Sequence, residues 1–154
     1  MKLHIADIDR KILRTIQRDS SLSMAELGAQ VGLSASACHR RLKTLEERGV
    51  VAGYRAALDR NQLGFAMQFF IEVSLVSQSE KVLEAFETAV RAIPEILECH
   101  LMAGQSDYIL RIVCEDAAAF ESLHRELVAK LPGVARVHSN MCIREVKALA
   151  GLPV

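Results

Sequence analysis

The sequence predicts an α+β protein in two parts. A helical N-terminal third precedes a four-stranded antiparallel sheet that carries two helices on one face. Three observations predict it. Charge divides along the chain: residues 1–55 hold 10 Lys and Arg against 6 Asp and Glu, and residues 56–154 hold 9 against 13, so +4 and −4 cancel to a net zero. Such an asymmetry points to two domains with different partners. Helix-cap and glycine-stop signals fall close together in the first third. Residues 66–147 echo themselves at an offset of 38 positions.

Composition bounds the rest. With 154 residues, 51% hydrophobic and 25% charged, the chain can bury one good-sized core or two small ones and is too apolar for disorder. The richest apolar run, FAMQFFIEV, is interrupted by Gln68 and Glu72 and falls far short of the ~20 residues of a membrane span. The opening MKLHIADIDRK lacks the apolar centre of a signal peptide. These features predict a soluble, cytoplasmic protein with no membrane partner. Cys38, Cys99, Cys114 and Cys142 are scattered without a CxxC pair, so neither a zinc site nor a disulfide framework is expected. No cofactor is implied.

The first helix is read from DIDRKILRTIQRD, where Ile8, Ile12, Leu13 and Ile16 share one face and Asp7 or Asp9 suits a helix start. The second runs from about Met24 to Gln30. Ser23 and Glu26 form a capping box, in which hydroxyl and carboxylate satisfy two exposed N–H groups, and Gly32 ends the helix. Ser34 caps the third, about Ala35 to Arg48, which Gly49 ends. Cys38, Leu42 and Leu45 face inward with Leu33. Ala35, Ser36, His39, Arg40 and Lys43 fall on the other side, flanked by Arg41 and Thr44.

Small residues at the helix start let its backbone come close to a partner, and cations follow one turn on. A short helix, a glycine turn and such a third helix make a helix-turn-helix, whose second helix enters the DNA major groove. The run VVAGYRAAL behind it reads as a β wing, with Tyr54 and Arg55 in reach of phosphate. Ser34, Ser36, His39, Arg40, Arg41, Lys43, Thr44, Tyr54 and Arg55 are the candidate contacts to double-stranded DNA. Arg41 either holds phosphate or pairs with an acid of its own domain.

In the second part Pro94 matches Pro132, Ile96 matches Val134 and His100 matches His138, while Ile71 pairs with Ile109, Val82 with Phe120 and Ile93 with Leu131. Each half reads as strand, helix, proline-marked loop, strand. The predicted strands are Ala66–Val76, Ile96–Met102, Asp107–Cys114 and Val134–Glu145; the helices are Glu80–Ala92 and Ala117–Lys130. Two such halves make a ferredoxin-like βαββαβ sandwich. Gly104, Gln105 and Ser106 are read as a tight turn between the middle strands. The organisation is thus a winged helix-turn-helix over 1–55, a linker over 56–65, the sandwich over 66–147 and a tail over 148–154.

The segments DRKIL, GLSASACHRRLKTLEERGVV, GYRAALD, ECHLMAGQSDYILRI and LPGV…REVK, in this order, resemble the Lrp/AsnC family (leucine-responsive and asparagine regulators). The resemblance runs from about Ile5 to Lys147. It implies a bacterial or archaeal transcription regulator that binds DNA through the first domain and a small effector, usually an amino acid, through the second. It further implies homodimers that assemble to a higher oligomer, commonly an octamer. The effector would sit between dimers, near the G-x-x-D-Y turn of one subunit and the last strand of another. Carried over by position, that pocket involves Gly104, Gln105, Asp107 and Tyr108 with Ser139, Asn140 and Met141. Asp107 would pair with the effector ammonium and turn N–H groups would take its carboxylate. Tyr108 and Met141 hint at an aliphatic or sulfur-containing side chain.

Two departures stand out: Ile5-Ala6 replaces the Leu-Asp that often opens the family's first helix, leaving Asp7 to cap, and Ala103 replaces a hydroxyl residue before the turn glycine. Two other functions compete with the regulator. A few proteins of similar fold decarboxylate a tetrapyrrole, for which His100, His138 and Arg111 would nominally serve. A non-specific DNA-coating architectural protein would use the same basic helix. The regulator, not an enzyme, is the preferred reading.

Overall fold

The computed structural model describes residues 5–148 and 151–154, with every side chain there except those of residues 128 and 129. Residues 1–4 of the predicted first domain and 149–150 of the predicted tail lie outside the described residues. The chain divides into two units: residues 1–57 together with 146–154, and residues 58–145.

The first unit holds α1 (Asp7–Arg18), α2 (Met24–Val31) and α3 (Ala35–Glu47). Asp7 does not cap α1 as expected. Ala6 occupies the cap position with no side-chain oxygen to offer, and Asp7 is the first helical residue, where with Asp9 it favours the positive end of the helix dipole. The capping box of α2 forms: Ser23 Oγ accepts from Glu26 N–H at 3.3 Å, and Ser23 N–H donates to the Glu26 carboxylate at 2.8 Å. Gly32 takes the left-handed backbone (φ +78°) that ends α2 and turns the chain into α3. Ile12, Leu27, Val31, Cys38, Leu42 and Leu45 close a core between the three helices. Full burial of a side chain such as Ile12 or Leu45 stabilises the unit by about 1.5–3 kcal/mol.

The run read as a wing contains no strand within this chain. Residues 52–59 lie in no strand or helix. A hairpin needs two runs joined by turn residues, whereas Val50–Leu58 supplies one run with a glycine in its middle.

The second unit holds β1 (Met67–Leu75), α4 (Glu80–Arg91), β2 (Ile96–Leu101), β3 (Tyr108–Cys114), α5 (Ala117–Lys130) and β4 (Val134–Met141). The sheet order is β2-β3-β1-β4, every neighbouring pair antiparallel. The internal repeat maps onto it directly: β1–α4–β2 and β3–α5–β4 are the two halves, with β1 and β3 central. Strand alternation sends Phe69, Ile71 and Val73 of β1 and Tyr108, Leu110 and Ile112 of β3 into one core with Phe86, Val90, Leu123 and Leu127 of the helices. Phe69 and Phe120 stack at 3.7 Å between ring centroids.

β4 stops at Met141 rather than Glu145. Its partner β1 begins at Met67, so after Cys142 N–H donates to the Gln68 carbonyl at 2.8 Å no strand remains to pair with. The turn between β2 and β3 lies where the sequence places it. Met102 N–H donates to the Asp107 carbonyl at 2.8 Å, and Ala103–Ser106 bulge out between them.

Candidate functional site

Burying Cys38, Leu42 and Leu45 leaves Ser34, Ser36, His39, Arg40, Lys43 and Thr44 exposed on α3. Ser34 Oγ accepts from Ala37 N–H and lies 3.3 Å from Ser36 Oγ, so Ser34 serves the helix start. Thr44 donates its hydroxyl to the Arg40 carbonyl at 3.0 Å. Lys43 lies 3.9 Å from Glu47, both well exposed, a contact that contributes little. Arg41 takes the second of its two predicted roles: its guanidinium donates to the Asp9 carboxylate at 3.0 Å, tying α3 to α1. Arg40 and His39 hold no ion pair among the described residues.

Tyr54 reaches back to α3 and donates to the Glu46 carboxylate at 2.6 Å. Burial, then the bond to Glu46, pushes its phenol up to about 12. A tyrosine so engaged holds the segment behind α3 in place, while Arg55 stands exposed.

In the second unit the candidate residues separate. Asp107 is already committed: it accepts from Leu75 N–H and from the Gln78 side-chain amide, each at 2.7 Å, and staples the β2–β3 loop to the end of β1. Tyr108 is buried against Phe86, ring centroids 4.6 Å apart, and donates to Glu87 at 3.0 Å. Burial, then that bond, pushes its phenol up to about 12. Gly104 and Gln105 are exposed in the loop. Ser139 lies opposite Ile71 on the helix-facing side, its Oγ buried and without a hydrogen-bond partner. Asn140 lies on the other side, and Met141 is exposed at the strand end.

Register decides whether these form one pocket. Val73 of β1 faces Tyr108 on one side and Val137 on the other, while Met141 faces Phe69. Met141 is therefore four residues further along the sheet than Tyr108, about 13 Å, and two strands across, about 10 Å. Tyr108 and Met141 are thus far apart, while Ser106 of the loop and Asn140 of β4 both reach Glu72 between them.

Family models match both units: winged helix-turn-helix DNA-binding over residues 5–52 and the Lrp/AsnC ligand binding domain over 68–152. The chain belongs to the Lrp/AsnC family. It is 50% identical over 119 residues, 77% of this chain and 94% of the relative, to an uncharacterized HTH-type transcriptional regulator of Sinorhizobium fredii. The leucine-responsive regulatory protein of Escherichia coli is 39% identical over 140 residues, 91% of this chain and 85% of that one. A transcriptional regulator of Neisseria meningitidis, solved as its L-Met complex, superposes with a TM-score of 0.92 at 34% identity over 97% of each chain. As a member of the Lrp/AsnC family the protein is a transcriptional regulator with a DNA-binding and a ligand-binding domain. Its relatives are regulators and not enzymes, which removes the decarboxylase reading.

One residue of the sheet escaped the sequence reading. Glu72 accepts from Ser106 Oγ at 3.0 Å and from Asn140 Nδ2 at 3.4 Å. It thereby joins the loop to β4 on the face away from the helices. Its signal in the sequence was a lone acid inside an apolar strand. No helix among the described residues is long and apolar enough to cross a membrane.

Proposed function

We propose that the protein is a sequence-specific DNA-binding regulator of the cytoplasm whose DNA occupancy responds to an amino acid bound between subunits. The carrying observation is Glu72, whose carboxylate accepts from Ser106 of the loop and from Asn140 of β4 and so brings the two candidate segments together on the face of the sheet away from the helices. Phe70 and Asn140 leave that face exposed within one chain, which fits a pocket closed by a second copy. Phe70, Leu97, Leu101, Met102, Met141 and Ile143 are large apolar residues left exposed on this unit, which supports homodimers and their assembly to an octamer.

Gly104 supports the loop half of the pocket. It has no positive φ, and a Cβ there would meet nothing within 4 Å. The fold has no local need of glycine at that place, as suits a backbone kept bare for a ligand. The N–H groups of the loop would take the effector carboxylate. With Asp107 committed to Leu75 and Gln78, Glu72 is the better partner for the ammonium. The likeness to the L-Met complex from Neisseria meningitidis makes L-methionine the first effector to try.

On DNA, Ser36, His39, Arg40 and Lys43 would meet bases or phosphates, Arg40 being suited to read guanine with two bonds. The test is fluorescence anisotropy on labelled DNA from upstream of the protein's own gene, with random DNA as competitor. Specific binding resists competitor to roughly 10³-fold excess or more. Displacement at parity would return the protein to the non-specific architectural reading.

A further inference from the structure

Residues 151–154 lie at and beyond the end of the matched ligand-binding domain in sequence, yet they belong to the DNA-binding unit in space. The contacts are specific. The Gln17 side-chain amide on α1 pairs with the backbone of Leu152 in both directions. Gln17 Nε2 donates to the Leu152 carbonyl at 3.1 Å, and Leu152 N–H donates to Gln17 Oε1 at 2.6 Å. Arg14, one turn earlier, donates from Nε to the Val154 carbonyl at 2.6 Å. The side chain of Val154 packs on the three-helix core, in a groove between α1 and Val50–Arg55.

Gly151 is required there twice over. Its φ is +88°, a backbone that side chains rarely adopt. A Cβ on it would also stand 2.6 Å from Gln17 Oε1 and 2.9 Å from Gln17 Cδ. Pro153 has no N–H to leave unpaired and sits at the centre of a tight turn, in which Val154 N–H donates to the Leu152 carbonyl at 2.9 Å.

We propose that Gly151–Val154 is a docking segment for this groove, so that the ligand-binding domain is fastened to the DNA-binding domain at both of its ends. Residues 58–66 enter it from one side. From Met141, the last residue of β4, ten peptide steps lead to Gly151 and span at most roughly 35 Å. The strand end that bears Ser139–Met141 is thus leashed to α1 and to the segment bearing Tyr54 and Arg55. Under the proposed function this leash carries an effector-induced displacement of β4 to the residues beside α3, but the docking itself does not depend on that reading.

The test is amide hydrogen exchange on the full-length protein, without DNA or effector, so its failure is distinct from failure of the proposed function. In the wild type the Leu152 amide exchanges about tenfold or more below the unstructured rate. Gln17→Ala and Gly151→Ala each abolish that protection and quicken exchange at Val50–Arg55, with helix content unchanged. An unprotected Leu152 in the wild type, or protection that survives Gln17→Ala, overturns the docking. Protection that falls as the protein is diluted also overturns it, since the groove would then hold another copy's segment.

Discussion

Arg40 and Arg41 are neighbours of the same charge, and the structure gives them different work. Arg41→Ala breaks the pair with Asp9, whose atoms lie 3.0 Å apart with side chains 39% and 14% exposed. At that distance an effective dielectric of ~20 gives a gross attraction of about 5 kcal/mol. Desolvating Asp9 and fixing a long side chain offset most of it, and the exposure of Arg41 admits solvent screening. The net lies above the common exposed pair and below the 3–5 kcal/mol of breaking a buried one, at about 1 kcal/mol. The chain has no Trp and only two Tyr, so urea unfolding is best followed by far-UV circular dichroism. Arg41→Ala and Asp9→Ala should each lower stability by about 1 kcal/mol, and the double variant should add little, giving a coupling of similar size. Strictly additive losses would refute the structural role of Arg41 and return it to the DNA face.

Arg40→Ala should leave unfolding unchanged and weaken specific DNA binding by ~1–3 kcal/mol; undiminished affinity in the anisotropy assay would exclude it from the interface. Glu72→Gln keeps an acceptor but loses the charge, so the L-methionine concentration that alters DNA binding should rise about tenfold or more, while binding without effector stays as it was. Tyr108→Phe removes the buried bond to Glu87 and should cost about 1 kcal/mol in urea unfolding, with equal stability as the contrary result. Stability should also fall in alkali. Burial, then the Glu87 charge, raises the Cys99 thiol from 9.0 to about 11, and Tyr108 rises from 10.0 to about 12. Both folded values lie above the unfolded ones, so the contribution is complete below pH 9 and is lost as pH climbs through 11 and 12. A thermal midpoint that does not move between about pH 8.5, where the contribution is complete, and about pH 11, where much of it is lost, would contradict this.

What was legible in the sequence was local or periodic. Ser23 with Glu26, Ser34 and Gly32 are signals within one helical turn, and α2 and α3 start where they say. The repeat gave the order of both halves of the sheet; its register holds for β2 and β4, where Ile96 and Val134 both pack on the core, and slips by one residue between β1 and β3, where Ile71 faces the helices and Ile109 the other side. What was not legible depends on residues that meet only after folding. Asp9 lies 32 positions from Arg41, so sequence could name an internal partner as an option without choosing it. Asp107 looked free for a ligand because its partners, Leu75 and Gln78, sit at the far end of β1. Glu72 joins Ser106 to Asn140 across 34 and 68 positions. The pairing of Gln17 with Leu152 spans 135 and follows no period. The lack of a strand at residues 52–59 has a different reason: an extended-looking run does not reveal whether a second run exists to pair with it.

A pocket whose floor is the open face of one sheet and whose cover is a second subunit makes ligand recognition a property of pairs of subunits. On the proposed site an isolated chain has nothing to saturate, and each added chain completes a site with its neighbour. Mass action then ties the apparent effector affinity to the abundance of the regulator itself. A cell that makes more of this protein would lower its threshold for the effector without altering a single pocket residue.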